Sequence, residues 1–336
     1  MLLRPMLWIA ASLALCGCAV GSPGSTGVVS ETFYISAIDP GIQLHVRNKH
    51  PAGLDGYSAE RTLLMVHGAT FPAGTAFDLD LPGGSWMDYA AGRGFDVYLI
   101  DIRGYGQSTR PGAMDAPPET NVPFADTKEA VSDISVAVDF IRKRRGVARV
   151  NLLGWSWGTS LMAGYAAEHP AKVEKLVLFA PMWHPWPKPQ YRGAYRTSTL
   201  ATRASGIPKD RLDDIFPLEW FNKWREATLA TDPFGASRNP PVIRAPNGVL
   251  KDMADIWGQG RSSYDPAAIG APTLLIVGEW DNVTPPNMAQ ELFKRLTTAK
   301  NRRVVVLSEG SHQYLLQKNR MRLIREVQHF LEEPSQ

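Results

Sequence analysis

The sequence predicts an α/β fold: a mostly parallel sheet with helices on both faces and an inserted helical cap. Three observations support this. Segments rich in β-branched residues alternate with segments of helical period along most of the chain. Most of the strand-like segments are continuous apolar runs, which is typical of parallel strands buried on both faces. One connection of about ninety residues interrupts the alternation, far longer than an ordinary strand-to-helix connection.

The N-terminus has the pattern of a targeting segment. Arg4 precedes the apolar run Met6–Leu15, which is too short to span a bilayer, and Cys16-Gly17-Cys18 follows it. This pattern resembles a bacterial lipoprotein signal, in which a small residue precedes the acylated cysteine. The resemblance implies a signal peptide over residues 1–17, lipidation at Cys18 and a flexible tether over residues 18–30.

Cys16 fits this signal poorly, because Leu15 precedes it. Ala19 after the lipidated cysteine implies an outer-membrane lipoprotein, facing the periplasm or the cell surface, whose only membrane contact is its lipid anchor. The alternative is an ordinary secretory signal cleaved near Ala19 or Gly21, which would give a secreted or periplasmic soluble protein.

Composition and charge exclude several classes of protein. With 44% hydrophobic and 21% charged residues, the chain is neither disordered nor a coiled coil. The net charge of +3 is too small to suggest a nucleic-acid partner. Both cysteines lie in the signal region, so the mature chain is expected to contain no disulfide and no thiolate nucleophile. We expect no metal, since no histidine pair has ligand spacing, and no cofactor, since no phosphate-binding loop is present.

The order of elements follows from local patterns. Alternating segments on either side of Asp39-Pro40-Gly41 predict an N-terminal hairpin. The predicted strands are Glu31–Ile38, Ile42–Asn48, Leu63–Val66, Asp96–Ile102, Val150–Leu153, Lys175–Ala180, Thr273–Val277 and Val304–Leu307. The predicted helices are Trp86–Arg93, Thr127–Arg144, Gly158–Glu168 and Pro286–Leu296, with a final helix inside Leu315–Leu331.

A serine stands at one of the strand-to-helix turns. The segment Gly154-Trp155-Ser156-Trp157-Gly158 joins the predicted strand RVNLL to the helix that follows. A serine in this G-x-S-x-G context is held on a sharp turn with its hydroxyl exposed above the sheet edge. The pattern therefore makes Ser156 the candidate nucleophile, although a glycine-rich turn with an incidental serine has the same letters.

Three more segments follow strands where such a nucleophile needs partners. His67-Gly68-Ala69 comes after an early strand, and the amides of Ala69 and Trp157 are the candidate oxyanion hole. Asp281 lies just beyond a late strand, with Glu279 as its local competitor for the acid role. His312 follows the last strand. The chain order Ser156, Asp281, His312 is that of a hydrolytic triad.

Together these motifs resemble the α/β-hydrolase superfamily over about residues 31–331. The resemblance implies a core of residues 31–181 and 266–336, a cap over residues 182–265, and a triad of Ser156, His312 and Asp281. Asp101–Ser108 is similar to the superfamily's D-x-R-G-x-G-x-S segment. In that family the segment is mainly structural, so we assign it no catalytic role.

The identity of the nucleophile narrows the reaction. Haloalkane dehalogenases and epoxide hydrolases of this fold use aspartate at the turn, so Ser156 disfavours both. We expect hydrolysis of a carboxylic ester or lactone with an apolar or aromatic part. A prolyl-aminopeptidase-like peptidase is an alternative suggested by the turn Trp157–Leu161, although His67-Gly68-Ala69-Thr70 departs from that group's HGGPG segment. A C–C bond hydrolase and a non-catalytic binding lipoprotein are further alternatives.

The cap is rich in aromatic residues. Trp183 and Trp186 leave the sheet edge close to the expected position of Ser156, so we expect them, with Met182 and His184, to contact substrate. Trp220 and Trp224 have helical i, i+4 spacing and are expected in the cap's own core. The loop Thr70–Ser85, with Phe71 and Phe77, either borders the site or covers the sheet edge.

Overall fold

The structure is a computed structural model that describes residues 27–54, 56–203 and 206–334. The predicted signal peptide and Cys18 lie outside these residues. None of the helices found in the described ranges is long and apolar enough to cross a membrane.

Eight of the described strands form one sheet, and two form a small second sheet. The strands are β1 Val28–Ser36, β2 Gln43–Pro51, β3 Thr62–Val66, β4 Asp96–Ile100, β5 Val150–Trp155, β6 Val173–Phe179, β7 Tyr195–Ser198, β8 Ile243–Pro246, β9 Thr273–Gly278 and β10 Arg303–Leu307. The order in the large sheet is β1-β2-β4-β3-β5-β6-β9-β10. Only the pairings β1–β2 and β2–β4 are antiparallel, so the predicted mostly parallel sheet is confirmed.

Helices cover both faces of this sheet. They are α1 Ala73–Phe77, α2 Trp86–Gly92, α3 Thr127–Arg145, α4 Trp157–Glu168, α5 Leu212–Ile215, α6 Leu218–Ala230, α7 Pro233–Ala236, α8 Gly248–Asp255, α9 Pro286–Arg295 and α10 Met321–Glu332. Along β3, Leu64 packs with the α3, α4 and α9 side of the core, and its neighbour Leu63 packs with the α1, α2 and α10 side. Successive strand residues therefore supply two apolar cores, as the continuous apolar runs predict.

The ends of α3 show how the sequence delimits an element. Asp126 caps its first turn, since its side chain accepts from the Glu129 amide while the Glu129 side chain accepts from the Asp126 amide. This reciprocal capping box satisfies two amides that the helix itself cannot. The helix ends at Gly146, whose φ of 66° is left-handed, a common glycine C-cap.

Three details differ from the sequence prediction. Strand β1 begins at Val28, where it pairs with Pro51, so the last residues of the predicted 18–30 tether belong to the sheet. The loop after β3 contains the short helix α1. The inserted cap is only partly helical, because β7 and β8 pair in it as an antiparallel ribbon. The two segments of this ribbon lie more than forty residues apart, which a local pattern does not reveal.

Candidate active site

Ser156 occupies a tight turn between β5 and α4. Its φ of 56° and ψ of −122° are unusual for a residue with a side chain, and such strain costs about 1–3 kcal/mol. The turn is held because the Ser156 amide donates to the Phe179 carbonyl at 3.0 Å and the Thr159 amide donates to the Ser156 carbonyl at 2.8 Å. The serine hydroxyl is thereby fixed at the carboxyl edge of the sheet, as the G-x-S-x-G pattern predicts.

Glycines surround this turn because the backbones approach closely. A Cβ on Gly154 would lie 2.2 Å from the Gly158 carbonyl oxygen, and a Cβ on Gly158 would lie 2.6 Å from the His67 carbonyl oxygen. A Cβ on Gly68 would lie 3.1 Å from the Cβ of Ser156. The missing side chains therefore let β5, α4 and the loop after β3 meet at Ser156.

Ser156, His312 and Asp281 form one hydrogen-bonded chain. His312 Nε2 lies 2.9 Å from Ser156 Oγ, and His312 Nδ1 lies 2.8 Å from Asp281 Oδ2. The Trp155 indole also donates to the His312 carbonyl at 3.1 Å, which holds the loop after β10 against the turn. With Nδ1 facing a carboxylate, Nε2 is the nitrogen that can accept the serine proton.

The carboxylate of Asp281 is held by its own loop. The amides of Val283 and Thr284 donate to Oδ1 at 2.9 and 2.8 Å, and the Thr284 hydroxyl donates to Oδ2 at 2.9 Å. Asp281 is buried, whereas its competitor Glu279 is exposed and accepts from the Glu309 amide. The geometry therefore gives the orienting position to Asp281.

His67 orients the candidate oxyanion loop. It is fully buried, the Ile102 amide donates to its Nε2 at 3.1 Å, and its Nδ1 lies 2.7 Å from the Gly68 carbonyl oxygen. Nδ1 must then carry the proton and donate. Burial also lowers the pKa of His67, which favours this neutral form. Because the Gly68 carbonyl and the Ala69 amide share one peptide plane, His67 fixes the direction of the Ala69 N–H.

The second amide of the candidate oxyanion hole is that of Trp157. Trp157 is the first residue of α4, where an N–H has no partner within the helix. Gly68 closely approaches Ser156, so Ala69 and Trp157, the residues that follow these two in the chain, stay the candidates for the oxyanion hole. The first turn of a helix also favours the negative charge that develops there during carbonyl addition.

The cap contacts this loop directly. Arg196 on β7 donates to the Ala69 carbonyl and to the Thr70 hydroxyl, and Tyr105 donates to the same Ala69 carbonyl at 2.7 Å. Burial raises the pKa of Tyr105 to about 12, so its hydroxyl remains a donor at neutral pH. The contacts of Arg196 make the position of the candidate oxyanion loop depend on the cap. No short motif in the sequence indicates that Arg196 and Tyr105 hold this loop.

A cavity of about 320 Å³ opens above Ser156. Its walls are mostly apolar and come from the core, the cap and the oxyanion loop. The lining residues are Gly68, Ala69, Thr70, Phe71, Trp155, Ser156, Trp186, Thr202, Arg203, Met253, Val283, His312 and Gln313. Of the predicted substrate contacts, the structure brings Trp186 to this cavity. No sequence pattern indicated that Thr202, Arg203 or Met253 would line it.

Trp183 does not line the cavity, which corrects our expectation. It is buried against Trp257 and Tyr264, with ring centroids at 5.7 and 5.8 Å. Met182 is buried as well, and its amide donates to Thr159. The first residues after β6 therefore pack at the base of the cap, and the chain reaches the cavity only at Trp186.

Other aromatic residues have divided roles. Trp220 and Trp224 are buried, but they join the core on the α1, α2 and α10 side of the sheet and do not form a separate core of the cap, which corrects our expectation. The loop after β3 contributes one aromatic residue to the cavity and another to the core. Phe71 lines the cavity and packs edge-on against Trp224 at 4.8 Å, while Phe77 is buried in the core.

Across the three described ranges, no cluster of three or more His, Cys, Asp or Glu side chains could hold a metal ion. Asp101 receives hydrogen bonds from the Ala73 and Gln107 amides and contacts His45, which is the structural role we expected for its segment.

Comparison with known proteins identifies the family of this fold. A family model described as serine aminopeptidase, S33 matches residues 60–319, well over half of the chain. A pimeloyl-[acyl-carrier protein] methyl ester esterase of Neisseria meningitidis serogroup A is 26% identical over 60% of this chain. A poly(3-hydroxyalkanoate) polymerase subunit of Haloferax mediterranei is 26% identical over 69% of it. The matches span 61% and 51% of these two relatives, less than two thirds of their length.

Solved structures show the same fold. A thermophilic esterase from Thermogutta terrifontis superposes with a TM-score of 0.58 at 16% identity. The match covers 90% of this chain and 98% of that one. At this identity the likeness supports the architecture and says nothing about the substrate.

The two candidate acids can be told apart by the reactivity of Ser156. We expect Asp281→Asn to slow labelling of Ser156 by a fluorophosphonate by about 10³–10⁴-fold. The amide oxygen would stay on the Val283 and Thr284 amides, so the NH2 group would donate to His312 Nδ1, leave the proton on Nε2 and provide no charge to stabilise the imidazolium. The matched control Glu279→Gln should label at the wild-type rate. Labelling rates measured by gel fluorescence, with thermal unfolding as a folding control, check both. A greater loss in Glu279→Gln would contradict the assignment of Asp281.

Proposed function

The chain belongs to the serine aminopeptidase, S33 family of the α/β-hydrolase superfamily, and on this premise we propose that it hydrolyses a carboxylic ester or lactone. The observation that carries the proposal is the hydrogen-bonded chain from Ser156 through His312 to Asp281 at the floor of an apolar cavity. The methyl ester esterase relative supports hydrolysis of an ester in kind, without assigning that relative's substrate to this chain.

The proposed mechanism is acyl transfer through a covalent intermediate. Ser156 Oγ attacks the carbonyl carbon as His312 Nε2 takes its proton. Asp281 stabilises the resulting imidazolium, and the Ala69 and Trp157 amides hold the oxyanion. His312 then returns the proton to the leaving oxygen. Water, deprotonated by the same histidine, releases the acid and regenerates Ser156.

The residues that line the cavity favour an ester substrate over a peptide with a free N-terminal amine. An aminopeptidase must bind a protonated α-amine, and burying that charge requires a carboxylate or several acceptors beside it. The residues that line the cavity include no Asp or Glu, and their one permanently charged side chain is the cation Arg203. Phe71, Trp186 and Met253 instead offer contacts to an apolar acyl or alcohol part.

The decisive experiment is a substrate screen with the Ser156→Ala variant beside the wild type. We expect wild-type protein to hydrolyse p-nitrophenyl esters or lactones, and to hydrolyse N-terminal-proline amides far more slowly. Ser156→Ala should lose this activity and fluorophosphonate labelling while its thermal unfolding stays that of the wild type. Faster turnover of the proline amides would favour the aminopeptidase alternative. Wild-type turnover in Ser156→Ala would refute the proposal.

Trp186 and Trp183 provide a matched pair of substitutions. Trp186→Ala should change the preference between short and long acyl esters by about 1–3 kcal/mol in kcat/KM, because the side chain lines the cavity. Trp183→Ala should instead lower the free energy of unfolding by about 3–5 kcal/mol, because it leaves a hole between Trp257 and Tyr264. Kinetics on an ester series and denaturant unfolding measure the two effects, and an unchanged substrate ranking in Trp186→Ala would exclude the specificity role.

We also propose that Cys18 carries a lipid that anchors the protein to the outer membrane. The support is the order of charge, apolar run, Gly17 and Cys18 in the sequence. Cys18→Ser should abolish incorporation of a fatty-acid analogue and shift the protein out of the membrane fraction or leave it unprocessed. Cys16→Ser should keep the label. Label lost only in Cys16→Ser would move the site to Cys16, and no label in the wild type would favour an ordinary secretory signal.

A further inference from the structure

We infer that the substrate carries an anionic group, a carboxylate or a phosphate, and that Arg203 binds this group at the cap side of the cavity. The inference rests on the ester hydrolysis proposed above and adds the charge of the substrate to it.

Arg203 lies in the wall of the cavity that contains Ser156 and His312. Its Nη1 donates to Asp213 at 2.5 Å and to the Phe216 carbonyl at 3.1 Å, so one edge of the guanidinium is fastened to the cap. Both acceptors found for Arg203 among the described residues contact Nη1, and in our proposal Nε and Nη2 bind the ligand. The side chain is only 20% exposed, so its stem is already ordered before a ligand arrives.

The existing partner of Arg203 neutralises it weakly. The side chain of Asp213 is 85% exposed, and an ion pair with a solvated partner is strongly screened by water. Among the described residues, none that lines the cavity is an Asp or a Glu. The charge of Arg203 therefore remains available inside the cavity.

A second cation lies behind the oxyanion loop. Arg196 donates to Ala69, Thr70 and Pro246, all of them neutral oxygen acceptors, and no ion pair with a carboxylate is found for it among the described residues. Apolar walls such as Phe71 and Met253 reduce the local screening of both charges. The field in the cavity thus favours an anionic ligand and opposes a cationic one.

The guanidinium group of Arg203 indicates which anionic groups the ligand can carry. Its planar fork matches two oxygens of a carboxylate or a phosphate. Because Ser156 and Arg203 line one cavity whose walls are mostly apolar, we expect an apolar spacer between the reacting carbonyl and the anion. The predicted substrates are therefore esters such as a half-ester of a dicarboxylic acid or an acyl ester of a phosphorylated alcohol.

Matched ester pairs with and without the anion test this. The carboxylate arm compares the mono-p-nitrophenyl ester of adipic acid with p-nitrophenyl hexanoate. The phosphate arm compares 1-hexanoylglycerol 3-phosphate with 1-hexanoylglycerol. We expect the wild type to prefer at least one anionic member by about tenfold or more in kcat/KM, mainly through KM. Preference in only one arm identifies the anion.

Substitutions of Arg203 test whether this side chain causes the preference for the anionic ester. Arg203→Gln should bring the ratio of kcat/KM for the anionic ester to kcat/KM for its neutral partner close to one. Arg203→Lys should keep part of this ratio because it keeps the charge without the fork. The control Arg238→Gln removes an exposed cap arginine that does not line the cavity and should behave as the wild type. The wild-type preference should also fall as salt concentration rises, a measurement that does not depend on the folding of any variant.

Two results would overturn the inference. One is equal turnover of anionic and neutral esters by the wild type at low salt. The other is an equal loss on both members of a pair in Arg203→Gln. In either case the neutral esters still report hydrolysis, so the proposed function stands. If no ester, charged or neutral, is turned over above the level of Ser156→Ala, the proposed function fails and the inference fails with it.

Discussion

The close approach of three backbone segments at Ser156 is the constraint on which the rest of the site depends. Strand β5, helix α4 and the loop after β3 meet where Gly154, Gly158 and Gly68 leave no room for a side chain. This contact brings the loop that contains Ala69, a proposed oxyanion donor, against the turn that contains Ser156, the proposed nucleophile. The unfavourable backbone at Ser156 costs about 1–3 kcal/mol, and the buried sheet on both sides of β5 offsets it through apolar packing.

The cap takes part in building the site as well as covering it. Arg196 reaches from β7 to the Ala69 carbonyl, so a cap strand helps to hold the loop that supplies an oxyanion donor. The cap also contributes Trp186, Thr202 and Arg203 to the cavity wall. Movement of the cap would therefore change substrate contacts and the oxyanion loop together. Such coupling lets binding energy from remote parts of a substrate act on the reacting centre.

Much of the site could be predicted from the sequence because its chemistry follows strands. Ser156, Asp281 and His312 each come just after an apolar strand, and the carboxyl ends of parallel strands meet at one edge of the sheet. The order of elements follows from the same local patterns. Trp183 was misplaced because distance along the chain from β6 says nothing about the direction in which the side chain points. That direction is set by Trp257 and Tyr264, more than seventy residues later. The contacts of Arg196 and Arg203 could not be predicted for the same reason, because tertiary packing sets them.

The triad itself cannot choose between an ester and an amide, since the same three residues serve both reactions. The choice lies in what the cavity does to the rest of the substrate. A protonated amine entering this cavity would lose its hydration shell and meet Arg203 instead of a carboxylate, an arrangement in which desolvation and repulsion both oppose binding. A neutral ester would lose little hydration against Phe71 and Trp186, and under the proposed role of Arg203 an acidic group on it would gain a charge-assisted hydrogen bond. The description of the family as an aminopeptidase therefore carries less weight for this chain than the sign of the charge in its cavity wall.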